Sequence, residues 1–298
     1  MSLQSMLNSI SVPEPIKLGV SVYDLTTNET AAINGDRLFQ LASVFKVAVM
    51  VAAFRLVDRG ALNLDDRFVV KPEHKIAGGI LGYLDDGLAL TWRDLITLMI
   101  ISSDNTATDI VLNRVGRCEA INQVIMELGI THLTLRQSVR ELIYAIEPID
   151  KLLLTEFEYQ RYVHQHSIKV DTAHVMQPDA SNFSSPNAMS QLFRLIETGK
   201  TTSLENTQLM RQILLRQQYV DRLPAQLPSE TPVAHKTGTI AGVCNDAGLI
   251  YLPGNRAVAL SVFTEYPVHI GSPEQDRLDG IAKELISHVA REVFMYLI

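Results

Sequence analysis

Residues 43–57 read SVFKVAVMVAAFRLV: a hydroxyl and an amine three residues apart, at the head of a run that only Arg55 interrupts beyond Lys46. A surface helix would carry a polar face, and this stretch has none. It is also too long for a strand, so it predicts a helix enclosed by protein on every side and ended at Gly60. A helix of that kind must be wrapped by other elements, and the flanking sequence supplies them.

Upstream, Lys17–Tyr23 alternates small or apolar residues with β-formers, Asn28 sits in a turn and Glu29–Ile33 is extended again, which predicts a β-hairpin. From about Leu62 to Gln218 the periodicity is helical, with a start signal at Thr91-Trp92-Arg93-Asp94 and stops at Gly116 and Gly199. Past Pro224 and Pro228 come Val233–Gly238, Cys244–Tyr251 and Ala257–Thr264, the last two joined by Pro253-Gly254-Asn255, which predicts an antiparallel meander. Leu278, Ile281, Leu285, Val289, Phe294 and Leu297 then share one face of a terminal helix. Strands at both ends flank a helical middle. The expected fold is α+β: one antiparallel sheet built from both termini with flanking helices, plus an inserted all-α lobe. We expect a single domain over 1–298, with an α/β lobe about 1–60 and 220–298, an α lobe about 61–219, and a cleft between them.

The chain has 298 residues, 47% hydrophobic and 20% charged, enough to bury a sizeable core. Thirty-three acidic against 26 basic residues give a net charge of −7, which repels phosphate backbones and anionic surfaces and argues against nucleic acid as a partner. The longest apolar stretches, Val47–Phe54 and Leu95–Ile101, are too short to span a bilayer. Met1-Ser2-Leu3-Gln4-Ser5 shows neither the basic start nor the apolar run of a secretory signal. Cys118 and Cys244 form neither a CxxC pair nor a disulfide framework, and both are expected reduced.

Three short motifs carry chemistry. The spacing of Ser43 and Lys46 puts both on one helix face, where they can share a proton. A serine hydroxyl is a weak nucleophile, and a lysine of pKa about 10.4 a poor base, unless burial and a second cation favour the neutral amine. Ser103-Asp104-Asn105 lies between a helix ending near Ile101 and another starting near Thr106, where it also fits a plain N-cap. Lys236-Thr237-Gly238-Thr239 lies in a strand. There Gly238 admits a close neighbour, and Thr237 and Thr239 can bond an anionic group held near Lys236; the plain alternative is an edge-strand lysine.

Together, in this order and on these elements, the motifs resemble those of the class A β-lactamases and penicillin-binding proteins. The resemblance runs through Gly78-Gly79-Ile80-Leu81, Ser103-Asp104-Asn105-Thr106-Ala107, Ser185-Pro186-Asn187-Ala188-Met189 and Asn245-Asp246-Ala247-Gly248-Leu249. It implies that Ser43 is the nucleophile and Lys46 its proton acceptor. Ser103 would relay the proton to the leaving nitrogen, with Lys236 beside it as a further catalytic residue. Asn105 would hold the substrate's side-chain amide, and Lys236, Thr237, Gly238 and Thr239 would line the carboxylate end. The backbone N–H groups of Ser43 and Thr239 would form an oxyanion hole. Arg222 stands fourteen residues before Lys236, where some relatives place an auxiliary arginine for the carboxylate; a surface arginine fits that position equally. The resemblance implies no cofactor and no metal, a small β-lactam or D-Ala-D-Ala-like peptide as ligand, a monomer, and a periplasmic or secreted location.

The pattern breaks in one place. Class A β-lactamases carry a Glu-x-x-Leu-Asn loop whose glutamate activates the hydrolytic water. Here the ungapped position holds Val139, and nearby Glu141 is followed by Tyr144-Ala145. The segment 144–184 is also longer than the family's loop and offers Glu147, Glu156, Glu158, His164, His166 and His174 as substitutes. The histidines invite a metal reading too, which a polar surface loop accounts for equally well. The sequence therefore favours a β-lactamase with an atypical or slow deacylation step. A penicillin-binding D,D-peptidase or related serine hydrolase competes with it, as does a non-catalytic penicillin-sensing domain, which would call for a partner domain or an anchor.

Overall fold

The computed structural model describes residues 2–146, 172–269 and 272–298. Alternation in the N-terminal segment produces β1 (Lys17–Asp24) and β2 (Thr30–Ile33), with Asn28 at φ 61° in the turn. Short strands β3 (Phe39–Gln40), β6 (Leu133–Thr134) and β7 (Phe183–Ser184) form one small sheet; β4 (Arg67–Val69) and β5 (Ala89–Thr91) form another. The C-terminal meander is β8 (Val233–Ile240), β9 (Val243–Leu252) and β10 (Arg256–Glu265). The main sheet is antiparallel in the order β2-β1-β10-β9-β8, so the N-terminal hairpin and the C-terminal meander join through β1 and β10. Lys17 faces Glu265 and Asp24 faces Val258 across that junction.

Period-two alternation loads both faces of the sheet. Along β10, Val258, Leu260 and Val262 belong to one apolar cluster, and Ala259 and Phe263 to the other. The first cluster is closed by α1 (Leu3–Asn8) and the C-terminal helix Pro273–Leu297. The second takes in the helix Pro186–Glu197, through Met189, Leu192 and Phe193, and continues into the helical middle of the chain. At its centre is α2 (Lys46–Asp58), whose residues from Lys46 to Phe54 are all buried, as an all-round apolar helix requires. A single 3₁₀ turn, Ala42–Phe45, leads into it, and Gly60 at φ +67° follows its end.

Against α2 pack α3 (Trp92–Ile101), α4 (Asn105–Arg114) and α5 (Arg117–Glu127), and α6 (Val139–Ile146) packs on α4. The Thr91 and Asp94 side chains cap α3 reciprocally, as the Thr91-Trp92-Arg93-Asp94 signal predicts. The sequence reading misses α1, whose N-cap is Ser2, and the five short strands β3 to β7. None of the described helices is long and apolar enough to cross a membrane.

Because Phe54 is 1% exposed at the centre of the larger cluster, Phe54→Ala is expected to cost about 3–5 kcal/mol of stability. Urea unfolding followed by fluorescence checks this; a loss below about 1 kcal/mol would place α2 outside a close-packed core.

Candidate active site

The packing of α2 fixes where its head points. Ser43, on the last turn before the helix, lines a cleft of about 420 Å³ with Ser103, Asn105, Arg222, Thr237 and Thr239. Among the described residues its hydroxyl has no hydrogen-bond partner. Lys46, one turn further, is fully buried; its Nζ donates to the Ser103 carbonyl at 2.6 Å, to Ser103 Oγ at 3.1 Å and to Asn105 Oδ1 at 2.9 Å. Burial drives its pKa from 10.5 down to about 7, against the upward pull of the nearby Asp104 and Asp109 carboxylates. At neutral pH this amine can both take and give a proton.

The second motif is positioned by a carboxylate. Asp104 is 0% exposed and caps α4 by accepting from the Ala107 N–H at 2.8 Å, while its other oxygen accepts from the Leu81 N–H at 2.8 Å. Asn105 donates to the Ala77 carbonyl at 2.7 Å, and Thr106 Oγ1 accepts from the Ile76 N–H at 2.9 Å. The 76–81 loop is therefore stitched onto the Ser103-Asp104-Asn105 corner. Gly79 is needed there: its φ is +136°, and a Cβ would sit 2.5 Å from Asp104 Oδ2. Ser103 itself takes φ 58°, a left-handed conformation rare for a serine, and both its oxygens accept from Lys46.

The third motif lies on β8, the edge of the main sheet. Lys236 is an edge-strand lysine, as the plain reading had it, but its side chain is fully buried rather than solvated. Its Nζ donates to the Thr237 carbonyl at 2.8 Å. Burial, the Lys46 charge and Arg222 hold its pKa well below the ordinary lysine range, against Asp246. Gly238 brings β8 against the Ser43 turn, for a Cβ there would lie 2.6 Å from the Leu41 carbonyl oxygen and 3.1 Å from the Ser43 nitrogen.

Arg222 is 5% exposed, not a surface arginine. Its Nη1 donates to the Gly238 carbonyl at 2.9 Å and the Asn245 carbonyl at 2.6 Å, and its Nη2 to Thr239 Oγ1. Its buried Nε has no hydrogen-bond partner. The cleft thus ends in a cation clamped to the tip of β8, a setting suited to an anionic group.

The sequence candidates for a hydrolytic base separate. Val139 has a buried side chain, and its backbone N–H donates to Asp109 at 2.8 Å. Glu141 does not line the cleft; it accepts from the Ser138 N–H at 2.7 Å and from Arg117 at 2.8 Å. His174 is exposed. Glu147, Glu156, Glu158, His164 and His166 lie outside the described residues. Among the described residues, no three of His, Cys, Asp and Glu gather in a metal-binding arrangement. Cys118 and Cys244 are both buried free thiols.

Several residues near the site escaped the sequence reading. Asp109, buried beside Lys46, accepts from the Val139 and Arg140 N–H groups at 2.8 and 3.0 Å and anchors the head of α6. Its one signal was an acid heading the apolar run Ile110-Val111-Leu112. Tyr219, Asp221, Tyr266, Asp279 and Lys283 line the far wall of the cleft, with Lys283 paired to Asp221 at 2.7 Å. They come from three segments, the loop holding Tyr219 and Asp221, the end of the meander at Tyr266, and the C-terminal helix holding Asp279 and Lys283, so no single local spacing announces them.

A model of the beta-lactamase enzyme family matches residues 2–297. The chain is 24% identical to beta-lactamase VEB-1 of Pseudomonas aeruginosa over 94% of this chain and 85% of that one. It is likewise 24% identical to the extended-spectrum beta-lactamase PER-1 of the same organism, over 99% and 87%. Among solved structures, a beta-lactamase from Sphaerobacter thermophilus superposes with a TM-score of 0.75 at 28% identity, covering 95% of this chain and 93% of that one. A mutant of PBP-A, solved as an acyl-enzyme complex with penicillin G, superposes at 0.77 with 23% identity, covering 99% and 95%.

The Lys46 amine is expected to titrate with a midpoint near 7 in lysine-resolved NMR, and Asp109→Asn should lower that midpoint by removing a neighbouring negative charge. A midpoint above about 9 would overturn this account of its burial. The unfolded chain keeps this proton up to about pH 10.5, whereas the folded chain releases it near 7. Lys46 therefore opposes folding most below pH 7, and its penalty falls as pH rises from 7 to 10.5.

Proposed function

Since this chain belongs to the beta-lactamase enzyme family, we propose that it is a serine hydrolase acylated at Ser43 by β-lactams, and that its acyl-enzyme is hydrolysed slowly. The observation that carries the reading is the unbonded Ser43 hydroxyl in the cleft, three residues ahead of a buried amine that is bonded to the cleft residues Ser103 and Asn105 and whose pKa lies near 7.

Ser43 Oγ attacks the lactam carbonyl carbon, and its proton passes to neutral Lys46. The developing oxyanion is met by the Ser43 and Thr239 backbone N–H groups, where each well-placed donor contributes a few kcal/mol of transition-state stabilisation. As the carbon–nitrogen bond breaks, the proton moves from Lys46 through Ser103 Oγ, 3.1 Å away, to the departing nitrogen. Asn105 holds the acyl side-chain amide. Thr237, Thr239 and Arg222 bind the carboxylate, drawn to a guanidinium fixed at the end of the cleft.

Hydrolysis of the resulting ester needs a base to activate water. A buried valine stands at 139, and Glu141 is engaged with Arg117 and Ser138. That observation also supports the second reading, a penicillin-binding D,D-peptidase acting on D-Ala-D-Ala-like ends, with PBP-A as the precedent for a relative of this fold forming an acyl-enzyme with penicillin G.

Intact-protein mass followed after addition of benzylpenicillin should show a one-to-one adduct that accumulates; fast turnover with no accumulating adduct would overturn slow deacylation. Ser43→Ala should form none while melting normally, and labelling that survives the change would remove Ser43 as nucleophile. Lys46→Ala should slow acylation at neutral pH by about 10²-fold or more, the usual contribution of a positioned base; an unchanged rate would move that role elsewhere. Val139→Glu should shorten the adduct's lifetime, and no change would show that a carboxylate at 139 does not reach the ester.

A further inference from the structure

Asp246 is a fully buried carboxylate to which the chemistry above gives no task. It sits on β9 opposite Thr237. Both its oxygens lie 2.9 Å from Nδ1 of His235, which is itself 1% exposed, and Oδ2 also accepts from the Leu223 N–H at 3.1 Å. One side chain thus joins the residue just before Lys236 to the backbone just after Arg222. Between Leu214 and Val233 the chain has neither helix nor strand of its own, so no regular ladder sets the position of residue 222. Arg222 grips Gly238 and Asn245 through its guanidinium, but those bonds hold the far end of a long, flexible side chain. The near end is held by Asp246. A neutral amide in its place would present a single acceptor oxygen, whereas the carboxylate serves the imidazole and the peptide N–H together, through charge-assisted bonds.

We propose that Asp246, seated on His235, is the positioning residue for Arg222: by fixing the Leu223 backbone it holds the guanidinium where it meets the substrate carboxylate. This rests on the reading of the cleft as an acylating site for carboxylate-bearing substrates. Asp246 would govern discrimination between substrates with and without that anion, not the acylation chemistry itself. Its charge is also felt by Lys236, and the test separates the two routes.

The experiment compares acylation of the intact protein by benzylpenicillin and by its methyl ester, read by mass against time over a range of concentration and pH. Asp246→Asn should weaken apparent binding of the acid about tenfold, a change of about 1.4 kcal/mol. The limiting acylation rate and the rate with the ester should stay as in the parent protein. In an Arg222→Ala background the same change should cost nothing further, the non-additivity expected of a residue that acts through another. His235→Gln retains an N–H donor on a looser side chain and should show the same preference for the ester in milder form; it carries the test where Asp246→Asn fails to fold. Equal losses on both substrates with a displaced pH profile would overturn the assignment in favour of Lys236. Additive losses with Arg222→Ala would overturn it as well. A parent protein labelled by neither compound would instead remove the acylation reading, and this assignment with it.

Discussion

An amine sunk into an apolar core is the constraint around which this molecule is arranged. The head of α2 carries Lys46 into the buried interior, where the charged form is penalised by desolvation. Its stability there depends on oxygens supplied from elsewhere, namely the carbonyl and hydroxyl of Ser103 and the amide of Asn105, with the Asp104 and Asp109 carboxylates behind them. Those groups are usable only if the corner that bears them is rigid. Asp104 secures this by capping α4 with one oxygen and tying down the 76–81 loop with the other. The left-handed Ser103 and the two glycines at 78 and 79 are local consequences of bringing that corner so close.

The main sheet solves the complementary problem of placing a second lysine opposite the first. Lys236 lies on the edge strand, and only Gly238 lets that strand approach the Ser43 turn. The edge is correctly placed because β9 and β10 carry it across to β1, so the N-terminal hairpin and the cleft are mechanically one object. Burial lowers the proton affinity of both lysines, and the Lys46 charge lowers that of Lys236 further. The anions nearby, Asp104, Asp109 and Asp246, keep the cluster from being a bare excess of positive charge, and each also makes backbone hydrogen bonds that fix a loop.

Much of this was legible in the sequence. The all-round apolar run at 44–57 marked a central helix, alternation marked the strands, and Thr91 with Asp94 marked the start of α3. Three motifs in a given order marked the cleft. Local pattern failed where tertiary contact supplies what the local sequence lacks. A six-residue helix such as α1 is unstable alone in water; it persists because Leu3 and Leu7 are covered within the cluster shared with the C-terminal helix. Arg222 was equally readable as a surface residue, since nothing in its neighbours foretells that two backbone carbonyls from the meander will enclose it.

The sequence by itself determined which groups are present and in what rotational relation along each element: Ser43 and Lys46 on one helix face, Asp104 before a helix, Thr237 and Thr239 on one side of a strand. Periodicity settles such relations, because a helix and a strand each repeat at a constant interval. Tertiary structure alone decided proton affinities and alignments. Burial turned Lys46 into a group titrating near 7, and packing put the Val139 side chain in the core with Glu141 turned toward Arg117. Desolvation and charge–charge coupling depend on distances between residues far apart in the chain, and no local interval encodes those distances.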